Sequence, residues 1–249
     1  MKYFCTLVLI LLVPFSSSFA GETALTGEEI LGRIDANFAS KNSVSTTTMI
    51  VKGRRGTRTV KAKSWGMGSE KALTEYLAPA REKGTKMLKI ADELWTYSPS
   101  ADRIIKIAGH MLRQSLLGSD ISYEDFMEDP DLLNTYNPEV TGEEQVNGRA
   151  CYVIKLTAKV PDTAYYSRKI WADKEWFLPL KEDRYAKSGK LIKRFTLLDA
   201  FRVGDRWYPK RMNYKDVLKK GDGTELIIDT IEFDVDIPEH IFTKASLRR

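Results

Sequence analysis

The stretch "QVNGRACYVIKLT", residues 145–157, decides how the rest of the chain is read. Asn147-Gly148 is a pair that readily adopts the positive φ angles of a two-residue hairpin. Beyond it, Ala150, Tyr152, Ile154 and Leu156 share one face of an extended chain, and Arg149, Cys151, Val153, Lys155 and Thr157 share the other. A strand leaving a tight turn pairs antiparallel with the strand entering it. The signature recurs outward in both directions: "KGRRGTR", "WGMGSEK", "AKSGKL", "RVGDRWY" and "KKGDGTEL" punctuate short alternating runs. Asp222-Gly223 reads as a second hairpin pair. After it, Ile227, Ile231, Phe233 and Val235 are expected on one strand face, opposite Thr230, Glu232 and Asp234. Successive hairpins make an antiparallel meander. About ten to twelve strands are expected, more than an open twisted sheet usually holds flat, so the sheet curls into a barrel or part-barrel.

Two segments break the strand pattern. "LTGEEILGRIDANFAS", residues 25–40, has Thr26 followed three residues later by Glu29, a capping box, and then Ile30, Leu31, Ile34 and Phe38 at helical spacing. This is an amphipathic helix with one face to bury. "GHMLRQSLLGSDISYEDFMEDPD", residues 109–131, clusters Met111, Leu112, Leu116 and Leu117 around Arg113 and then turns acidic. Ser122 is placed to cap a short helix whose first turn holds Glu124 and Asp125, with Pro130 to end it. The segment is too apolar to lie in water, so it folds across the sheet, either as a movable lid over an apolar cavity or as a fixed plug. Periodicity does not separate the two.

The opening "MKYFCTLVLILLVPFSSSFA" has Lys2, an uncharged apolar run and small residues at Ser18 and Ala20, the pattern of a cleavable secretory signal. We therefore expect a signal peptide over residues 1–20, a mature domain over 21–249 and a periplasmic location. The apolar run is shorter than the roughly 20 residues needed to span a bilayer. Cys5 falls within that segment, which leaves Cys151 as the sole cysteine of the expected mature chain and allows no internal disulfide. Cys151 is read as a small buried strand residue. With 39 Lys and Arg against 34 Asp and Glu, the charge is mild, and an exported chain of this kind is not read as a nucleic-acid binder. Lys52, Arg54, Arg55, Arg58, Lys61 and Lys63 crowd one hairpin, either as a solvated edge or as a contact for anionic head groups or an acidic partner.

Catalytic signatures are missing. His110 and His240 lie far apart, and there is no G-x-S-x-G turn, P-loop, dinucleotide fingerprint or H-E-x-x-H helix. The acids Asp120, Glu124, Asp125, Glu128, Asp129 and Asp131 lack the glycine and ligand spacing of a calcium loop and are expected to form a solvated helix face. The reading is a non-enzymatic protein with no metal and no cofactor.

The runs "LWTYSPSADRIIKI" (94–107), "GSDISYEDF" (118–126) and "WADKEWFLPLKEDRYAKSGKLIK" (171–193), in that order, resemble the outer-membrane lipoprotein-sorting protein family, which is related to the periplasmic LolA/LolB-like lipoprotein carriers. The resemblance implies a mainly β fold: one curved antiparallel sheet forming an unclosed half-barrel, with an N-terminal helix and short lid helices over its concave face. It favours the lid. It also implies a carrier that shields the acyl chains of a lipid or lipoprotein, acting as a monomer between an inner-membrane transporter and an outer-membrane acceptor. Service to a resistance-nodulation-division-type lipid exporter, or a non-lipid envelope scaffold, are the alternatives. On this reading the candidate lipid contacts are Trp65, Met67, Met87, Trp95, Tyr97, Met111, Leu112, Leu116, Leu117, Phe126, Tyr152, Ile154, Trp171 and Phe195. The candidate head-group or partner contacts are Arg54, Arg55, Arg58 and Arg113.

Overall fold

The computed structural model describes residues 25–53, 56–128, 131–161 and 163–248. The expected signal segment, Arg54, Arg55, Asp129 and Pro130 lie outside these residues. Helix α1 (Gly27–Phe38) begins as its capping box dictates: the Thr26 hydroxyl accepts from the Glu29 amide at 3.2 Å, and the Glu29 carboxylate accepts from the Thr26 amide at 2.8 Å. Strands β1 (Asn42–Gly53), β2 (Gly56–Met67), β3 (Lys71–Ala78), β4 (Lys86–Ile90), β5 (Glu93–Ser98) and β6 (Arg103–Ile107) then form one meander. After an irregular insert come helices α2 (Tyr123–Met127) and α3 (Leu132–Thr135). A second meander follows: β7 (Tyr136–Val146), β8 (Arg149–Ala158), β9 (Ser167–Asp173), β10 (Pro179–Tyr185), β11 (Leu191–Val203), β12 (Arg206–Asp216) and β13 (Thr224–Phe233).

All thirteen strands belong to one antiparallel sheet, ordered β6-β5-β4-β3-β2-β1-β13-β12-β11-β10-β9-β8-β7. The meanders meet at β1 and β13 in the middle, and β6 and β7 are the two unjoined edges, so the sheet is an unclosed half-barrel. This topology explains the insert. Chain leaving one edge must reach the other, so residues 108–135 necessarily cross the sheet from β6 to β7.

The hairpin at Asn147-Gly148 forms as expected, with φ of 50° and 78°. The one before β13 differs: the positive φ angles fall on Gly221 and Gly223, not on Asp222. Any Cβ at Gly223 would meet the Tyr214 carbonyl oxygen at 2.5 Å, so this turn tolerates glycine alone. A register shift opposite Thr46 and Thr47 also turns β13 over partway along. Ile231 and Phe233 therefore share a face, but Ile227 lies on the other, and Val235 beyond the strand packs on that other side.

Directly paired residues point the same way, and alternation carries each face along the sheet. One face bears Met49, Val60, Ala62, Tyr76, Met87, Leu94, Ile107, Leu226, Met212, Tyr214, Phe195, Glu182, Arg184, Arg168, Ile170, Ile154 and Leu156. This inner face is covered twice. Ile30, Leu31 and Ile34 of α1 pack on Tyr136, Ile154, Leu156 and Ile170, and the insert packs Leu116 on Met49, Val60, Tyr76 and Met87. Each of these aliphatic side chains contributes roughly 1.5–3 kcal/mol by leaving water. The outer face of β2 to β5 is covered by the chain after β13: Ile237, Phe242 and Leu247 bury Leu73, Leu88 and Trp95. Cys151 is fully buried, and burial pushes its thiol up to about 11, which fits an inert packing residue.

Candidate functional site

Between the two inner covers the packing is incomplete. A cavity of about 540 Å³ lies between α1, the insert and the inner face, within the roughly 300–1,000 Å³ typical of small-molecule sites. Its walls are mostly apolar: Ile34 and Phe38 from α1, Met49, Val60, Ala62 and Tyr76 from β1 to β3, Leu226 and Tyr214 from β13 and β12, Leu116, Ile121 and Phe126 from the insert, and Leu132 from α3. Thr47, Ser64 and Thr74 add hydroxyls, the last two bonded to each other at 2.9 Å.

One end of the cavity is different in kind. Asp125, Glu128, Arg168, Glu182 and Arg184 all reach its wall, with Lys193 and Tyr165 behind them. Asp125 sits in the short helix α2, whose start is fixed by reciprocal bonds between Ser122 and Asp125. Its carboxylate also meets Arg184 at 3.2 Å, accepts from the Tyr165 hydroxyl at 2.6 Å, and pairs with Lys193. Glu182 holds Arg168 at 3.0 Å and Arg184 at 2.9 Å. Glu128 completes the group, against Arg184 at 3.2 Å and against Arg168. Three cations therefore face three carboxylates, which is what allows charges to stay in so dry a place.

The shifts follow from that arrangement. Burial alone would raise the Asp125 carboxyl, but the Lys193 ammonium and Arg184 guanidinium beside it bring it down to about 2. Burial opposes the charge on Glu182 as well, and Arg184 and Arg168 overcome it, so this carboxyl lies below its ordinary value. Burial, helped by the neighbouring Arg184, pulls Arg168 down to about 10, still charged near neutrality. Burial and the Asp125 charge push the Tyr165 phenol well above its usual range, so it remains a donor.

The expectation that the insert's acids form a solvated helix face is thus corrected. Asp125 is buried in the ionic group. Asp120 is buried too, accepting from the Asp216 amide at 3.0 Å and the Thr224 hydroxyl at 2.9 Å. These bonds tie residues 119–128 to the far half of the sheet. Residues 109–117 are joined to that segment by the Leu116 amide donating to the Ile121 carbonyl at 2.8 Å and the Tyr123 amide donating to the Gln114 carbonyl at 3.1 Å, and to the sheet by Arg58 donating to the Leu117 carbonyl, Lys219 donating to Ser115, and the apolar contacts of Met111, Leu112, Leu116 and Leu117.

The structure divides the candidate contacts between the two faces. Leu116 and Phe126 line the cavity, and Met87, Met111, Leu112 and Leu117 pack in the apolar cluster beside it. Phe195 lies on the inner face against Tyr214, with ring centres 5.3 Å apart. Tyr152 and Ile154 are on the same face but under α1, outside the cavity wall. Trp65, Met67, Trp95 and Tyr97 are on the outer face, in the cluster beneath the C-terminal chain. Trp171 is also outward, its indole donating to Glu144 at 2.6 Å between Lys181 and Lys169. These five therefore do not share one cavity with the others. The outer face is also covered over β2 to β5, so aromatic content alone could not say which face was inner. Of the basic candidates, Arg58 is turned to the insert, and Arg113 is exposed beside a second, polar depression. The ionic group was not anticipated. The available signal was Glu182 and Arg184 two residues apart on a strand, an alternation that puts opposite charges on one face.

The sequence profile of a family described as "-like: Uncharacterized protein" matches residues 68–249. No curated protein matches the chain. Several solved structures share its fold. An outer membrane lipoprotein-sorting protein domain from Vibrio parahaemolyticus superposes with a TM-score of 0.79 at 24% identity, over 90% of this chain and 98% of that one. A DUF1329 family protein from Desulfovibrio piger gives 0.81 at 25% identity, over 89% and 97%. A LolA superfamily protein from Nitrosomonas europaea gives 0.75 at 23% identity, over 90% and 100%. The chain belongs to the family whose profile matches residues 68–249, and its fold is the one it shares with these three structures.

Proposed function

We propose that this protein is a periplasmic carrier that shelters an acyl chain of a lipid or lipoprotein in the inner-face cavity during transfer toward the outer membrane. The observation that supports the reading best is the cavity itself: an apolar space left between a curved sheet and two covers, one of which meets the sheet over residues 109–117 largely through apolar contacts. The Vibrio protein that shares the fold is described as lipoprotein-sorting, which points the same way. Burial of a methylene contributes about 0.8 kcal/mol relative to water, so a long chain would bind very tightly if water were the alternative. It comes from one apolar phase and leaves for another, so only the small difference between cavity and membrane matters. Polar hydroxyls and an unfilled space keep that difference small.

The cover provides the route. Leu116 and Phe126 occupy part of the wall, and movement of 109–117 would widen the space without breaking the bonds at Asp120 and Asp125. The test is native mass spectrometry of the full-length gene product isolated from its own envelope, together with binding of the neutral amphiphile 1-hexadecanol. Co-purified lipid and stoichiometric hexadecanol binding are expected. A clean apo mass with no hexadecanol binding would return the fold to a scaffold role.

A further inference from the structure

The charged end of the cavity carries a second message, which rests on the carrier reading. Arg168 is 1% exposed, reaches the cavity wall, and its Nε has no hydrogen-bond partner. The faces of Tyr136 and Tyr165 flank its guanidinium at 4.6 and 5.6 Å. Its permanent anion is Glu182, on the neighbouring strand and 9% exposed. Its other anion, Glu128, differs in two ways. It comes from the insert rather than the sheet, and its side chain is 25% exposed, against 7% for Asp125. Glu128 is also shared, touching both Arg168 and Arg184. A carboxylate on the cover that bridges two buried guanidinium groups can be withdrawn without disturbing the strands, whereas Glu182 is part of a strand and Asp125, though on the cover, is more buried and held by Arg184, Lys193 and Tyr165 together. Withdrawal would leave two arginines short of an anion at the end of an apolar chamber. A guanidinium is the side chain best shaped to accept a carboxylate or phosphate in its place.

We propose that Arg168 and Arg184 form a head-group subsite for an anionic single-chain amphiphile, a carboxylate or phosphate ester, with Glu128 as the internal occupant that the ligand displaces. The tail then lies along Phe126, Leu132 and Ile34, and the head group takes over the contacts of Glu128. Exchange of one anion for another keeps the buried charge balanced throughout. It also couples loading to the insert, because the displaced carboxylate belongs to it. The direction of the Arg168 shift agrees: burial first, and then the like charge of Arg184, pull this guanidinium below its ordinary value, which an anion bound beside it would oppose.

The experiment compares palmitate, hexadecyl phosphate and 1-hexadecanol on wild-type protein, Glu128→Gln and Arg168→Lys, each checked for a native melting transition. Glu128→Gln removes the competing charge while keeping its size. It is expected to tighten palmitate and hexadecyl phosphate by about tenfold, corresponding to about 1.4 kcal/mol, and to leave hexadecanol unchanged. Arg168→Lys keeps the charge but loses the fork, and should erase the preference for anionic ligands while hexadecanol still binds. Acetate and inorganic phosphate should not compete at concentrations that saturate palmitate binding. Equal affinity of the wild type for palmitate and hexadecanol, with no selective gain in Glu128→Gln, would overturn the subsite and leave the carrier standing. Competition by acetate or phosphate as strong as by palmitate would overturn it too, in favour of a simple anion site. Failure of all three amphiphiles to bind would remove the carrier reading and the subsite with it.

Discussion

Part of each face of the sheet is covered by further chain, with about 540 Å³ of space under the inner cover and a smaller pocket of about 280 Å³ at the outer one. On the outer face, the chain after β13 seats Ile237, Phe242 and Leu247 directly on Leu73, Leu88 and Trp95, and Leu247 is completely buried. On the inner face, the insert contributes Leu116 and Phe126 to the wall of a cavity and is tied at its far end by charge pairs as well as by the apolar contacts of Ile121, Tyr123, Phe126 and Met127. Close packing fixes an element in one place, because each missing contact is felt. Charge pairs and backbone bonds at one end of a segment can fix that end and leave the other free. The comparison sets an outer cover that belongs to the core against an inner one that, on the proposed carrier function, hinges about its anchors at Asp120 and Asp125.

The largest effect that would break this contrast is on stability. Phe242→Ala should cost about 3–5 kcal/mol, since nothing stands ready to fill the hole. Leu116→Ala should fall at or below the low end for such a change, about 2 kcal/mol, because its side chain already borders open space. Chemical denaturation of both variants measures the difference. If Leu116→Ala is as costly as Phe242→Ala, the insert is a fixed plug and the contrast fails.

A smaller effect, dependent on pH, sharpens the anchor. The Asp125 carboxyl lies at about 2 in the fold against an ordinary 3.8. A carboxyl lowered in the fold adds stability that is fully present above the ordinary value and is lost as pH falls through the folded one. Wild-type protein should therefore weaken between about pH 4 and pH 2, with Asp125 accounting for about 2 kcal/mol of the loss. Asp125→Asn should be less stable at pH 7 and show a shallower decline over that window. Parallel acid declines in the two proteins would mean that Asp125 does not hold the insert.

How much of this was legible in the sequence depends on the range of the interactions. The capping box at Thr26, the helix cap at Ser122 and the hairpin at Asn147-Gly148 are set by residues within three positions of one another, and all three form as read, Ser122 with a reciprocal bond from Asp125 besides. Counting turns led to a barrel or part-barrel and the family resemblance to an unclosed half-barrel, which forms with thirteen strands rather than ten to twelve. Face assignment did worse, for two reasons. The register shift beside Thr46 reverses the alternation partway along β13, separating Ile227 from Ile231. Burial of the outer face over β2 to β5, and of Trp171 between two lysines, also hides the side these rings take, so Trp65, Trp95 and Trp171 gave no warning that they face away from the cavity. The ionic group was beyond reach because its pairs, such as Asp125 with Lys193 and Glu128 with Arg168, are far apart in the chain and meet only when β9 to β11 come under the insert.

The smallest expected effect is spectroscopic, and it probes the two faces directly. The protein has five tryptophans. Trp65 and Trp95 lie beneath the C-terminal chain and Trp171 between two lysines on the outer face. A ligand entering the inner cavity changes the water around none of them. Trp176 is the exception to control for, because its carbonyl accepts from Asn37 of α1 at 2.9 Å and its ring stacks on Trp207 at 4.4 Å, so a shift of the helix would reach this pair. In a Trp176→Phe, Trp207→Phe background, saturating palmitate should leave the emission of the remaining three tryptophans unmoved. Phe126→Trp in the same background places an indole in the cavity wall, and its emission should shift to the blue as the ligand displaces water. A blue shift without the added indole would show that the outer face also responds to ligand, and the division of labour between the two covers would have to be given up.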